Sequence, residues 1–251
     1  MTQDLALLVN RLEQRRPLAP QDREAVLALP YQIRTIAHAR QVVRQGERRG
    51  EFYLVLSGLI HQHRILSDGS RQITSLHVQG DILCLEDEKT ALKCGVESIG
   101  ESQVAVIGVA AFDRLFDASA SLARAIWAET LAVASHYREW LVNLGRRNAR
   151  ERILHLLCEL GVRLEAAGIS GRDRYQVPLT QEQIGDITGL TPIHVNRVLQ
   201  SLGKDGVIRR DRRMIVITDW PQAADMAGFD SSHMQTKVAE ARVQPAIWRA
   251  A

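Results

Sequence analysis

The spacing of apolar and polar residues divides the chain into three parts. The first part, up to about residue 115, opens with an amphipathic segment over residues 5–12 and continues as short apolar runs separated by glycines. The strand-like runs are residues 52–56, 59–66 and 72–77. Asp68-Gly69 between two of them is typical of a hairpin turn. Short strands at this spacing predict an antiparallel sandwich or roll.

The second part, residues 119–143, contains neither Gly nor Pro and shows helical periodicity. Its apolar positions are Leu122, Ile126, Leu131, Val133, Ala134, Tyr137 and Leu141. This pattern predicts one long helix. A long helix between two domains often packs against its copy in a dimer; the alternative is a helix that lies on its own β domain. Gly145 is predicted to break the helix and to act as a hinge.

The third part carries clear helix-start signals. Thr180 followed by Gln183 forms a capping box, and Thr191 followed by Pro192 marks a second helix start. Two strand-like runs then flank the basic segment 209–213. A helix, a turn with glycine, a second helix and a basic hairpin together predict a winged helix-turn-helix, whose second helix enters the major groove of DNA.

The second of these helices has distinct faces. Its apolar positions predict a buried side formed by Val195, Val198, Leu199 and Leu202. The opposite side presents Ile193, His194, Asn196, Arg197, Gln200 and Ser201. We expect this side to face DNA, and we expect the basic hairpin, including Arg212 and Arg213, to contact phosphates.

Composition narrows the function classes. The chain has 251 residues, 45% hydrophobic and 24% charged, which predicts a soluble globular protein of two domains. Residues 141–220 contain 13 Lys and Arg against 9 Asp and Glu, so the net positive charge lies there and favours a polyanion partner. No apolar run or leader suggests a membrane span or secretion, and three cysteines predict no disulfide framework. We expect a cytoplasmic protein.

Residues 178–208 resemble the helix-turn-helix of the cyclic-AMP receptor / fumarate-nitrate regulator (Crp/Fnr) family. The motifs that carry the resemblance are Thr180, Ile184-Gly185, Gly189, Val195-x-Arg197-x-Leu199 and Gly206-x-Ile208. The resemblance implies an α+β fold with an N-terminal antiparallel β-roll of the cyclic-nucleotide-binding kind, a long dimerisation helix and a C-terminal winged helix-turn-helix. The implied divisions are residues 1–117 (sensor), 118–145 (dimerisation helix and hinge), 146–220 (DNA-binding domain) and 221–251 (tail).

The resemblance also implies a function. It implies a homodimer that binds a palindromic operator in double-stranded DNA and regulates transcription with RNA polymerase. Thr180 and Thr191 match phosphate-contacting positions, and Arg197 matches the arginine that reads guanine. Ile193 stands where the best-known members have Glu; it can contact a thymine methyl group instead. His194 and Gln200 are expected to contact DNA beside it.

The effector region departs from the cyclic-AMP binders that it resembles. Gly80-Asp81 stands where they have Gly-Glu, and residues 93–97 contain Glu97 and no Arg for the cyclic phosphate. No cysteine precedes Cys84, which argues against the iron–sulfur cluster of the oxygen-sensing branch. We therefore predict no cofactor. A redox pair, Cys84 with Cys94, stays open, as does a haem or metal site at the three histidines His61, His63 and His77.

Two other classes of function are open besides a DNA-binding regulator. One is a ligand or redox sensor that acts through protein partners and whose helix-turn-helix no longer reads bases. The departure at Ile193 is the only feature that favours this class. The other is an enzyme with a Cys or His nucleophile. The sequence has no nucleophile elbow, phosphate loop, zinc-protease motif or paired-carboxylate motif, so we predict no enzymatic activity.

Overall fold

The computed structural model describes residues 4–47, 50–83, 92–211 and 214–234. The N-terminal domain begins with helices α1 (Ala6–Arg15) and α2 (Pro20–Leu27). Among the described residues of this domain, eight strands follow. In chain order they are β1 (Tyr31–Ile36), β2 (Gln41–Val43), β3 (Glu51–Ser57), β4 (Ile60–Ile65), β5 (Arg71–His77), β6 (Ile82–Leu83), β7 (Gly95–Ser98) and β8 (Ser102–Gly108).

These strands form two four-stranded antiparallel sheets, in the orders β1-β8-β3-β6 and β2-β7-β4-β5. Because successive side chains of a strand point to opposite faces of its sheet, β3 contributes residues to two hydrophobic cores. Tyr53 and Val55 pack inside the roll with Val96 of β7. Phe52 and Leu54 pack on the other side, in the core that includes residues of α1. The β4–β5 hairpin turns at Gly69, whose positive φ of 85° suits the predicted turn.

Two helices follow the roll: α3 (Val109–Ala118) and the long helix α4 (Ala120–Arg146). The side chain of Ser119 caps α4 by accepting a hydrogen bond from the Leu122 amide. The predicted apolar stripe proves to belong to two faces. Leu122 and Ile126 are buried against the N-terminal domain, whereas Leu131 and Leu141 are exposed.

The prediction that Gly145 breaks this helix is wrong. Helix α4 continues through Gly145 to Arg146, and the chain turns extended at Arg147. The next helix, α5 (Ala149–Ala166), starts with a capping box formed by Asn148 and Glu151. A single glycine costs a helix only about 1 kcal/mol, so the strong start signal at Asn148 sets the break instead.

The C-terminal domain confirms the predicted winged helix-turn-helix, and with the roll and long helix it completes the predicted α+β fold. Its elements after α5 are β9 (Arg174–Gln176), α6 (Gln181–Thr188), α7 (Pro192–Lys204), β10 (Ile208–Asp211), β11 (Met214–Ile217) and α8 (Trp220–Ala227). The small sheet has the order β10-β11-β9. Strand β9 and helix α8 were not predicted.

Helix α8 gives structure to the first part of the tail. Asp219 caps it, and its buried residues Ala223 and Ala227 join the core to which α5 contributes. A three-residue 3-10 helix, Ser231–His233, follows. Over the described ranges, no helix has both the length and the apolar character needed to cross a membrane.

Candidate nucleic-acid interface

The turn between α6 and α7 is fixed by its glycines and caps. A Cβ atom at Gly185 would lie 2.4 Å from the Leu190 carbonyl oxygen, so only glycine allows the turn to approach α6 this closely. Gly189 ends α6 in the left-handed conformation, with φ 67°. Thr191 then caps α7 by accepting a hydrogen bond from the His194 amide. The two helices are therefore held in a defined relative position.

Helix α7 has the two faces that its sequence predicts. Val195, Val198, Leu199 and Leu202 are buried in the domain core. The predicted DNA-contacting residues Ile193, His194, Arg197 and Gln200 are all exposed, and Ile193 is 75% exposed. An aliphatic side chain this exposed among polar residues is available for a partner. The structure brings these four residues together on one surface.

Thr180 and Thr191 lie at the N-termini of α6 and α7 and are exposed. Each threonine oxygen accepts an amide hydrogen bond from its own helix, at 3.1 Å from Gln183 and 3.3 Å from His194. The hydroxyl hydrogens are left to donate. A helix N-terminus also carries partial positive charge, so both positions suit a phosphate.

The wing contributes basic side chains beside this surface. Arg209 and Arg210 lie on β10, pair with Val216 and Ile215 of β11, and are exposed. The predicted phosphate contacts Arg212 and Arg213 lie outside the described residues, and their role stays a prediction.

A bond that sequence reasoning missed joins the two helices. Gln181, the first residue of α6, donates a hydrogen bond from Nε2 to Oδ1 of Asn196 on α7, over 3.0 Å. Both side chains are half-buried. The only local signal is a long amide side chain directly after the Thr180 cap, which is insufficient to identify a partner 15 residues later.

A second group of charged residues lies at the junction between the two domains. Asp81, only 3% exposed, forms ion pairs with Arg163 of α5 at 2.5 Å and with Arg11 of α1 at 3.3 Å. Arg163 also binds Glu159, at 3.1 Å, and donates to the Leu76 carbonyl oxygen, at 2.6 Å. Sequence reasoning noted Asp81 only as an effector position, and nothing local marks an arginine 82 residues later as its partner.

The junction charges stabilise one another. Burial alone would raise the pKa of Asp81, but the nearby charges of Arg163 and Arg11 hold that pKa well below its usual range. Burial likewise opposes ionisation of Glu159, yet His136 and Arg163 lower its pKa. Both carboxyl groups are therefore ionised. The Trp140 indole completes this group by donating to Glu159 over 2.7 Å.

The β-roll also contacts the helix-turn-helix directly. Arg71 of β5 forms an ion pair with Asp186 of α6 at 2.7 Å. Gln72 donates from Nε2 to the main-chain carbonyl of Asp186 at 2.6 Å and to that of Ile187 at 3.2 Å. Arg71 also approaches Glu182 in the first turn of α6, at 3.9 Å, whereas Thr180 itself is exposed.

The other predicted effector residues are only partly described. Cys84 lies outside the described residues, and Cys94 is half-buried, so a redox pair stays a prediction. Cys158 is buried in the core, and burial raises the pKa of its thiol to about 12. Glu97 approaches His61, with 3.6 Å between Oε1 and Nε2.

The histidines singled out earlier lie within the roll. His61 and His63 are buried side by side, with ring centroids 5.0 Å apart. Burial lowers the pKa of His61 to about 3, so it is neutral. His77 contacts Ser75 through Nε2, over 2.8 Å. Within the ranges that the structure covers, no three His, Cys, Asp or Glu side chains are grouped to hold a metal ion.

Comparison with known proteins agrees with this geometry. Residues 151–223 match the family model of the Crp-like helix-turn-helix domain, and residues 34–119 match that of the cyclic nucleotide-binding domain. The first match covers α6, α7 and the wing. The second covers the roll, including Asp81.

Similar proteins span most of both chains. The transcriptional activator protein FnrL of Cereibacter sphaeroides is 26% identical over 202 residues, 79% of this chain and 81% of that protein. The nitrogen fixation regulation protein FixK of Rhizobium meliloti is 29% identical over 194 residues, 77% and 86% of the two chains. The structure of FixK2 from Bradyrhizobium japonicum matches with a TM-score of 0.74 and 25% identity, over 80% of this chain and all of that one. The chain belongs to the Crp/Fnr family and is a DNA-binding transcription regulator.

Proposed function

We propose that the chain reads a specific operator through the exposed face of α7. The observation that carries this proposal is that one side of α7 is buried in the core, while Ile193, His194, Arg197 and Gln200 are exposed together. Arg197 pairs with guanine through its guanidinium, and Ile193 contacts a thymine methyl group. Thr180, Thr191 and the wing arginines hold phosphates and fix the register.

The test is selection of duplexes from a random pool with reduced protein and no added ligand. We expect an enriched palindrome whose half-sites are about one helical turn, roughly 34 Å, apart. Failure to enrich any sequence, together with salt-insensitive binding, would favour the alternative sensor that acts through protein partners.

The operator reader acts as a homodimer through α4 in this proposal. Trp127 is 65% exposed and Leu141 is 71% exposed, with Leu131 between them. Spacings of 4 and 10 residues place the three on one face of a helix. Large apolar side chains aligned in this way on a helix suit a second copy of the same helix.

The dimer is tested by sedimentation of wild-type and Leu141→Glu protein. Two buried carboxylates across a helix pair are unfavourable, so the variant is expected to be monomeric and to lose tight operator binding. Ile33→Glu is the matched control, because Ile33 is 53% exposed on β1 rather than on α4. A Leu141→Glu protein that stays dimeric would contradict this interface.

The signal received by the roll is, in this proposal, not a cyclic nucleotide. Support comes from Asp81, whose carboxylate is buried and engaged by Arg163 and Arg11. A ribose hydroxyl would have to displace these ion pairs. Calorimetric titration with cyclic AMP is expected to give no binding heat at millimolar nucleotide, and a saturable heat with a shifted melting temperature would contradict the proposal.

The regulator activates transcription together with RNA polymerase. FnrL, one of the similar proteins, is a transcriptional activator, which favours activation here. In-vitro transcription from a promoter carrying the selected operator tests this. We expect more transcript on addition of the protein, and less transcript would identify a repressor.

A further inference from the structure

The contact between Gln181 and Asn196 lies within the proposed reading surface. On a helix, residues three and four apart are neighbours, so Asn196 lies beside Ile193 and Gln200. Those two neighbours are exposed, and Asn196 itself is half-buried where α7 meets the start of α6. Its carboxamide is therefore at the edge of the surface that faces the major groove in the proposed function.

The hydrogen bond uses only part of the Asn196 carboxamide. Gln181 Nε2 donates to Oδ1 over 3.0 Å. A carboxamide oxygen has two lone pairs and its nitrogen has two hydrogens. One lone pair and both Nδ2 hydrogens are left, so the group can still accept one hydrogen bond and donate another.

That remaining pattern is complementary to adenine. In the major groove adenine presents the N6 amino group as a donor and N7 as an acceptor, and an asparagine carboxamide pairs with both. We propose that Asn196 reads an adenine in each half-site and that Gln181 is the positioning residue that holds its carboxamide. This inference rests on the proposed function of α7.

Gln181 contributes by fixing a side chain before DNA arrives. An unrestrained asparagine loses rotamer freedom when it pairs with a base, and a group ordered in advance loses less. Arg197, in contrast, is exposed on the same helix. The two readers are separable by mutation, because the Gln181 side chain donates its hydrogen bond to Asn196 and not to Arg197.

The experiment is duplex selection with full-length wild-type protein and three variants, Asn196→Ala, Gln181→Ala and Gln222→Ala. We expect Asn196→Ala to lose the adenine preference at one position of each half-site, with roughly tenfold to hundredfold weaker binding. Gln181→Ala should blur the same position by a few fold and leave the guanine position unchanged. Gln222, exposed on α8, is the matched control and should change nothing.

A base analogue gives the second readout. Replacing the adenine by 7-deazaadenine removes the N7 acceptor, so it should weaken binding of wild-type protein and have no further effect on Asn196→Ala. A uniform loss across all sequences in Gln181→Ala would show a phosphate contact and overturn the positioning role. An unchanged preference in Asn196→Ala would overturn the adenine assignment. If wild-type protein enriches no sequence, the guanine position is absent too, and the proposed function itself fails.

Discussion

The reading surface on α7 and the domain junction around Asp81 use polar residues in opposite ways. At the junction, Asp81 and Glu159 are buried, and the largely buried Arg163 pairs with both of them. On α7, Arg197 and His194 are exposed. Buried charges cost free energy unless they are paired, whereas exposed ones cost little. The junction thus holds the two domains together, whereas the α7 surface is available for a partner.

Removal of Arg163 tests the buried charges of the junction most directly. Arg163→Met leaves Glu159 and part of Asp81 without their buried partner, so we expect a loss of about 3–5 kcal/mol in the free energy of unfolding. Urea denaturation measures it. Arg150→Met is the control, because Arg150 pairs with Asp205 in a more exposed position, where an ion pair contributes at most about 1 kcal/mol. Equal losses would show that the junction pairs are not special.

The reciprocal change is Arg197→Ala on the reading surface. We expect a loss of about 1–3 kcal/mol of operator binding in each half-site, with weak, salt-sensitive binding retained. The free energy of unfolding should change by less than about 0.5 kcal/mol, because the side chain is exposed. Fluorescence anisotropy with selected and scrambled duplexes separates the two quantities. Full specificity in this variant would contradict the placement of α7.

The buried His61 makes the stability of the folded protein depend on pH. Burial lowers the pKa of His61 in the folded protein to about 3, while the unfolded chain takes up a proton near pH 6.5. The unfolded state thus binds more protons, and stability falls as the pH falls from about 6.5 towards 3. His61 contributes up to about 1.4 kcal/mol per pH unit. Denaturation between pH 6.0 and 4.5 should show a smaller slope in His61→Gln; an identical slope would refute this account.

The smallest effect is expected at Gly145. A Cβ atom there meets nothing within 4 Å, so Gly145→Ala should stabilise α4 by about 0.5–1 kcal/mol. Gly185→Ala, which brings a Cβ to 2.4 Å from a carbonyl oxygen, should destabilise the protein. Thermal denaturation measures both. A hinge role for Gly145 additionally predicts an altered operator response in Gly145→Ala, and unchanged operator binding would refute that role.

The parts of the fold that could be predicted are those with local signals. Thr180, Gln183, Thr191 and Pro192 mark helix starts within a few residues, and the structure places helix starts there. The pairing of Arg163 with Asp81 depends on packing between elements far apart in the chain, and no local pattern encodes it. The N-terminus of α6 could be predicted from its cap. The contact of Gln181 with Asn196 could not, because it too depends on the packing of two separate elements.

Periodicity also has a limit that α4 illustrates. It identifies apolar positions on a helix but not what covers them. Leu122 and Ile126 are covered by the N-terminal domain, and Leu141 is exposed, although the periodicity assigns all three to one apolar face of the helix. The two alternatives for this helix therefore apply to different faces: one face lies on its own domain, and the other is left for the proposed dimer.

The two arginines on Asp81 have a consequence for how the chain folds during synthesis. Arg11 and Asp81 leave the ribosome well before Arg163. The roll therefore emerges with the Asp81 carboxylate paired to Arg11 but still without its second ion-pair partner, Arg163. The C-terminal domain thus supplies, through Arg163, an ion pair that the N-terminal domain lacks on its own. We expect the two domains to unfold in a single transition, and a fragment ending before α5 to be less stable than the same residues in the whole chain.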